Sequence, residues 1–250
     1  MKIEKSAFTL AEVIMVLGII GVVSAITIPN LSKSVDKDKY VSLLKGVTSD
    51  ITIAYKSAKE KYNGEISDWM ANDSTTANKS KRAATRIMDY LNVEKDCETS
   101  TGCFKNTKVI RYTVNGTTLS TKEDFSTKTI DADTDKYKFI LNGGTAVAFD
   151  CNTSYLSSDN TSNYCYVIMD LDGKDKGFNT LGVDIFVMKL ENTGLSDTTA
   201  EKPFTRLQTC FNAEKNTMKP EYCTDWVLTT GNMDYLDCYE NLSDTQKTCN

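Results

Sequence analysis

The chain has 250 residues, is 40% hydrophobic and 25% charged, and carries a formal net charge of −5 at pH 7. It contains no histidine, which excludes catalytic triads with a His base and zinc sites with His ligands. Its acidic balance argues against a general phosphate-binding surface and makes a nucleic-acid partner unexpected, because such surfaces need many Lys and Arg contacts.

The first feature along the chain is an apolar stretch of 21 residues, Phe8–Ile28, that contains four polar side chains and no Lys or Arg. As a helix it would measure about 31 Å, close to the hydrocarbon thickness of a bilayer. Lys2 and Lys5 precede it and indicate a cytoplasmic N-terminus. The pattern predicts a transmembrane helix whose C-terminal side is extracytoplasmic.

Three interpretations of this stretch remain open. It can be an ordinary signal anchor, or a secretory signal peptide that is cut after the small residues Val23-Ser24-Ala25. The third interpretation starts from Glu12, since a carboxylate within an apolar span is costly to bury without a partner. A cut before Phe8 would create an α-amino cation that can meet Glu12 of a neighbouring, staggered helix and fix the register of the two helices.

The segment KSAFTLAEVIMVLGIIGVVSAITIP resembles the N-terminus of type IV pilins and type II secretion pseudopilins. The resemblance implies a leader of residues 1–7, prepilin peptidase cleavage between Ala7 and Phe8, and N-methylation of Phe8. It also implies that Glu12 serves in filament assembly and that Pro29 kinks the helix. The family usually has Gly before the cut, where this chain has Ala7.

The same resemblance implies where the protein acts and with what. The expected location is the bacterial inner membrane with an extracytoplasmic head, and then a periplasmic or cell-surface filament. Expected partners are further copies or related pilins, a prepilin peptidase, and an inner-membrane assembly platform with its ATPase. The implied fold is α+β and pilin-like, with one long N-terminal helix packed on an antiparallel sheet.

After the membrane half (residues 8–29), residues 30–64 continue the helix as an amphipathic segment. Apolar residues recur three or four positions apart as far as Tyr62, and Asn63-Gly64 ends the pattern. A helix from Phe8 to Tyr62 would be about 80 Å long. We expect residues 65–250 to form a globular head.

The sequence of the head predicts an antiparallel sheet over residues 108–190, since the predicted strands are separated by turns rather than by helices. Ala83–Leu91 predicts a short helix, whereas residues 72–76 have loop composition. The predicted strand pairs are Val109–Val114 with Thr117–Leu119, Tyr137–Leu141 with Thr145–Phe149, and Tyr164–Met169 with Val183–Met188.

The loop between the last two strands is rich in Asp and Gly. It is not an EF-hand, because the sixth and twelfth positions are not Gly and Glu. Asp and Gly are turn residues in their own right, so a turn without metal is the favoured interpretation. If calcium binds, the candidate side chains are Asp170, Asp172 and Asp184.

The chain has eight cysteines and no C-x-x-C pair, which favours disulfides in an oxidising compartment over free thiols or a metal site. Half of them lie in the Cys-rich region of residues 195–250. Spacing alone cannot choose among 105 connectivities, so pairing of sequence neighbours is the default. Those pairs are Cys97–Cys103, Cys151–Cys165, Cys210–Cys223 and Cys238–Cys249. Such loops serve either to clamp the fold or to carry an adhesive surface.

These observations predict a non-enzymatic pilin or pseudopilin subunit that polymerises through its N-terminal helix. Two alternatives are a secreted, disulfide-stabilised binding protein with an ordinary signal peptide and a DNA-uptake pilin. A mature start at Ile26 would identify the first, and an exposed basic patch would favour the second. No base–nucleophile constellation is apparent for an enzyme.

Overall fold

The structure is a computed structural model, and it describes the backbone of residues 10–115, 118–151, 164–174, 176–177, 179–196, 210–212, 217–218, 223–238, 242 and 246–249. Side chains are described for the same residues except 23–35, 111–127, 211–212 and 217–218. The chain divides into two compact units, residues 1–39 and residues 40–250. The boundary falls inside the first helix, and Val41, just after the boundary, is buried in the core.

Helix α1 (Leu10–Tyr62) has 53 residues and ends where the apolar period ends. Asn63 follows with a φ of 44°, the left-handed conformation that terminates many helices. The helical backbone is continuous through Pro29, and the predicted kink there stays a prediction.

Among the described residues, no helix is apolar over a sufficient length to cross a membrane. Residues 8 and 9 and the side chains of residues 23–28, which belong to the predicted span, lie outside the described part. The transmembrane role of Phe8–Ile28 therefore stays a prediction.

Two helices follow α1, namely α2 (Ile66–Met70) and α3 (Thr76–Met88). The helix predicted at 83–91 thus begins seven residues earlier, at Thr76. The hydroxyl of Thr75 accepts a hydrogen bond from Asn78 N at 3.2 Å and caps the helix. The buried face of α3 has little apolar periodicity to reveal it, since it consists of Ser80, Ala83, Ala84 and Ile87.

The main sheet is entirely antiparallel and has the strand order β1-β4-β5-β6-β7-β8. Its strands are β1 (Val93–Glu98), β4 (Tyr137–Leu141), β5 (Ala146–Cys151), β6 (Cys165–Asp170), β7 (Ile185–Glu191) and β8 (Gly194–Ser196). The pairs β4–β5 and β6–β7 confirm two predicted strand pairs. Strand β1 was not predicted, because it lies at the sheet edge with four exposed charged side chains and lacks an apolar alternation.

The prediction of one sheet over 108–190 is wrong at its beginning. Strands β2 (Lys108–Asn115) and β3 (Thr118–Thr129) pair with each other, as the Asn-Gly signal predicts, but form a separate two-stranded sheet. The short strands β9 (Phe211–Asn212) and β10 (Thr217–Met218) form a third sheet. Two helices complete the described part, α4 (Cys223–Thr230) and α5 (Tyr235–Cys238).

The main sheet is covered on both faces. On β5, Val147 and Phe149 belong to a hydrophobic cluster with α1, α2 and α3. The alternate residues Ala146 and Ala148 belong to a second cluster, which includes side chains from loops and from β2. All residues of β4, β5 and β6 are therefore buried, which explains why these strands read as continuous apolar runs.

All eight cysteines are in disulfides, in the neighbour pairing that the sequence predicted. Cys151 and Cys165 lie directly opposite each other on β5 and β6, so their bond links adjacent central strands. In the chain-entropy picture each of these loops stabilises the fold by about 2 to 3 kcal/mol.

Candidate functional site

The N-terminal part of α1 is apolar on all sides. Every side chain from Leu10 to Val22 is exposed, and the large apolar ones have exposed fractions between 44% at Val13 and 77% at Leu10. No neighbouring atom lies within 4 Å of where a Cβ would sit on Gly18 or Gly21. A helix that is apolar on every side is typical of segments that lipid or protein covers. We call residues 10–22 the stem.

Glu12 is the acidic residue of the first turn of α1, and its side chain is exposed within the stem. It is also the one charged residue between Leu10 and Val22. Ala7 and Phe8, the predicted cleavage and methylation residues, lie outside the described residues. Because Glu12 lies within the stem, any association that covers the stem with apolar groups also places the Glu12 carboxylate in a medium of low polarity.

A second feature lies in the loop between β6 and β7. The carboxyl groups of Asp170, Asp172 and Asp184 converge there, with one oxygen of each within 4.8 Å of the others. Asp170 ends β6, and Asp184 immediately precedes β7, so the antiparallel pairing of these strands brings the two together. The sequence predicted these three residues as the candidate calcium ligands. We call them the Asp cluster.

Tight turns close this loop around the Asp cluster. Gly173 has a φ of 75°, and a Cβ there would lie 2.4 Å from the carbonyl oxygen of Gly144, so no other residue fits. Gly177 has a φ of 57°, and a Cβ there would lie 2.9 Å from Asp172 Oδ2. The two glycines let the backbone approach both the β4–β5 turn and the carboxylates.

Each carboxylate of the cluster uses one oxygen and leaves the other without a partner. Gly173 N donates to Asp170 Oδ1 at 3.0 Å, Thr180 N donates to Asp184 Oδ1 at 2.8 Å, and the Tyr40 hydroxyl donates to Asp172 Oδ2 at 3.1 Å. The remaining oxygens, Asp170 Oδ2, Asp172 Oδ1 and Asp184 Oδ2, are buried and accept no hydrogen bond. Buried acceptors of this kind are rare in native proteins, so these three oxygens are suited to contact a donor or a cation.

The electrostatics of the cluster agree with this geometry. Burial, followed by the neighbouring carboxyl groups of Asp172 and Asp184, raises the pKa of Asp170 to about 8. Burial and then the charge of Asp172 raise the pKa of Asp184 to about 7. Three mutually repelling carboxylates in a dry site must take up protons or a cation.

The Asp cluster suits an ion better than a substrate. Asp170 is 0% exposed and Asp184 is 3% exposed, so a molecule larger than an ion cannot reach the free oxygens for acid–base chemistry. Lys174 and Lys176 belong to the same loop and carry charges that would oppose a cation, but both are exposed. Within the described part of the chain, neither lysine forms an ion pair with the cluster.

Tyr40 also contributes to the Asp cluster, and the sequence did not predict this. It lies 132 residues before Asp172, on helix α1, and its hydroxyl fixes the orientation of that carboxylate. No local sequence signal connects two residues so far apart, so only the packing of α1 on the sheet reveals this contact.

Comparison of the chain with known protein families, with curated proteins and with solved structures finds no match. The resemblance to pilins therefore rests on the sequence, and chiefly on residues 5–29.

Proposed function

We propose that the protein is a structural subunit, a pilin or pseudopilin, of a type IV pilus or type II secretion filament. The observation that carries this proposal is the stem, which exposes large apolar side chains on every side and holds a single acid. The apolar sequence around Glu12 also resembles the N-terminal segment through which the subunits of such filaments assemble. The protein acts without catalysis, by polymerisation.

The driving force for assembly is lateral packing of stems that are never exposed to water. In the inner membrane lipid covers the stem, and in the filament the stems of neighbouring subunits replace that lipid. Glu12 fixes the stagger, because its carboxylate pairs with the α-amino group that cleavage creates on Phe8 of the adjacent subunit. Removing one member of such a buried pair is costly, which makes the register specific.

The remaining partners follow from this scheme. A prepilin peptidase removes residues 1–7, and an inner-membrane platform with its ATPase extracts the subunit into the filament. The compact unit of residues 40–250, which includes the head, stays outside the cytoplasm, where its four disulfides are stable.

We further propose that the Asp cluster binds calcium. Calcium takes six to eight oxygen ligands and prefers carboxylates, backbone carbonyls and water. The three buried oxygens that lack hydrogen bonds supply half of a minimal shell, and the turn backbone and water supply the remainder. In the head, the cation would neutralise the repulsion and tie the β6–β7 loop to Tyr40 through Asp172.

Co-expression with a prepilin peptidase tests the proposed function. The full chain should lose residues 1–7 where the peptidase is present and keep them where it is absent. Ala7→Gly introduces the residue that the family usually has at this position and should be processed at least as fast. Cleavage after Ala25 that is independent of the peptidase would instead identify an ordinary signal peptide and contradict the proposal.

A further inference from the structure

Helix α3 borders a cleft that has no part in the assembly or calcium proposals. The cleft has a volume of about 490 Å³, and it is lined by Lys81, Arg82 and Arg86 of α3 together with Tyr62 and Asp73. We call it the α3 cleft. The three basic residues belong to a helix that contains four basic residues and no acidic one.

The charges in the α3 cleft do not balance. Three positive side chains and one carboxylate, Asp73, line the cleft. Arg82 already occupies that carboxylate, since its Nε and Nη2 lie 2.6 and 3.0 Å from the two oxygens of Asp73. Lys81 lies 3.7 Å from Glu98 at the exposed rim, a pair of little strength.

Arg86 is the basic residue whose charge is not met. Its guanidinium lies over the rings of Tyr62, at 4.7 Å, and Trp69, at 5.2 Å. Across the described ranges, no carboxylate forms an ion pair with Arg86 and no acceptor takes its N–H groups. Burial, and then the neighbouring Arg82, lowers the pKa of this guanidinium, against smaller opposing effects of Tyr62 and Asp73.

The rings hold Arg86 in position for a ligand. The Tyr62 hydroxyl donates to Asp89, whose carboxylate also accepts from Lys61 Nζ at 2.7 Å. These hydrogen bonds restrict the orientation of the Tyr62 ring. A guanidinium that is stacked on aromatic rings is held in place before a ligand arrives, so it loses little entropy on binding.

We propose that the α3 cleft binds a phosphate group, with Arg86 and Lys81 as direct ligands and Arg82 adding positive charge. A guanidinium fork matches two phosphate oxygens, and the surplus of positive side chains in the lining favours an anion. Asn78 and Thr85 also line the cleft and offer neutral polar groups. The phosphate can belong to a soluble molecule or to a lipid headgroup, and the chemistry of recognition is the same.

Side-chain NMR of the arginines tests this proposal, because the chain has four of them: Arg82, Arg86, Arg111 and Arg206. The full chain in maltoside detergent, free of other phosphate, is titrated with inorganic phosphate at constant ionic strength. In parallel, the full chain is placed in phosphatidylcholine nanodiscs with or without phosphatidic acid. We expect saturable shifts of the Nε–H signals of Arg82 and Arg86, with Arg111 and Arg206 unaffected.

Two variants separate a built site from general charge. Arg86→Gln should weaken the apparent affinity by about tenfold or more, since a charge-assisted bidentate contact is lost. Lys56→Gln removes one positive charge from an exposed position on α1 and should leave the titration unchanged.

Each outcome has a defined meaning. Saturation with inorganic phosphate supports a soluble ligand, and saturation only with phosphatidic acid supports a lipid headgroup. The proposal is wrong if Arg86 shows no saturable response in either arm, or if Lys56→Gln weakens binding as much as Arg86→Gln does. None of these results depends on whether the protein forms filaments, so this test is independent of the assembly proposal.

Discussion

Replacing Glu12 with alanine should leave the protein in the membrane but remove it from filaments. The substitution makes the stem more apolar, so insertion is retained, while the α-amino group of the neighbouring subunit loses the carboxylate that pairs with it. A buried charge left without its partner costs about 3 to 5 kcal/mol, enough to reduce incorporation at least a hundredfold. The measurement is the amount of protein in the sheared-filament fraction relative to the membrane fraction.

Glu60→Ala is the matched control for this prediction, because it removes an exposed acid near the other end of the same helix. We expect normal incorporation of that variant. Normal incorporation of Glu12→Ala, with the protein confirmed in the sheared filaments, would refute the register role of Glu12.

Adding calcium to metal-free protein should raise the melting temperature of the head by about 5 to 10 °C. At a calcium concentration of a hundred times Kd, mass action contributes about 2.7 kcal/mol, and each kcal/mol shifts the midpoint by about 2 to 4 °C for a domain of this size. The measurement is thermal unfolding of the full chain in detergent, first with a chelator and then with excess calcium.

Asp184→Asn should abolish most of this calcium shift, because it removes one of the three charged ligands. Asp50→Asn removes an exposed carboxylate on α1 and is the matched control, for which we expect the full shift. An equal response of Asp184→Asn and the unmodified protein to calcium would contradict the assignment of the Asp cluster.

The pH dependence of the same shift has a defined sign. The pKa values of Asp170 and Asp184 in the fold, about 8 and about 7, exceed the value of about 4 that aspartate has in an unfolded chain. Between about pH 4 and pH 8 the folded head therefore binds more protons than the unfolded chain. Without metal, this difference lowers the stability of the head as the pH rises from about 4 to 8. Calcium replaces those protons, so its stabilisation should be larger at pH 8 than at pH 5.5.

Local sequence patterns were enough to predict the elements whose signal is contained in a few residues. The end of α1 at Tyr62 follows from apolar periodicity and the Asn-Gly pair after it. The strands β4 to β7 follow from short apolar runs bounded by turns. The disulfides agree with the default pairing of sequence neighbours, which spacing alone could not establish. These features are coded over short distances, where local physics decides the outcome.

Other features depend on packing and could not be predicted in this way. Strand β1 is an edge strand, and only its pairing with β4 makes it regular. The hairpin of β2 and β3 has an obvious turn signal, but nothing in its sequence indicates that it stays apart from the main sheet.

The Asp cluster and the α3 cleft show the same contrast between local signals and contacts that depend on packing. The sequence supplied the three members of the Asp cluster, because they lie within fifteen residues of one another. It did not supply Tyr40, nor the stacking of Arg86 on Tyr62 and Trp69, since those contacts join separate helices.

The most direct measurement of the central claim is mass spectrometry of the N-terminal peptide of the protein, isolated from the filaments or membranes of its own host. The Glu12 carboxylate can be buried in the stem if proteolysis creates a cation on an adjoining subunit, so the peptide should begin at Phe8. The resemblance to pilins further implies that its α-amino group is methylated. A protein that keeps residues 1–7, or one that begins at Ile26 and so lacks the stem, would contradict the account.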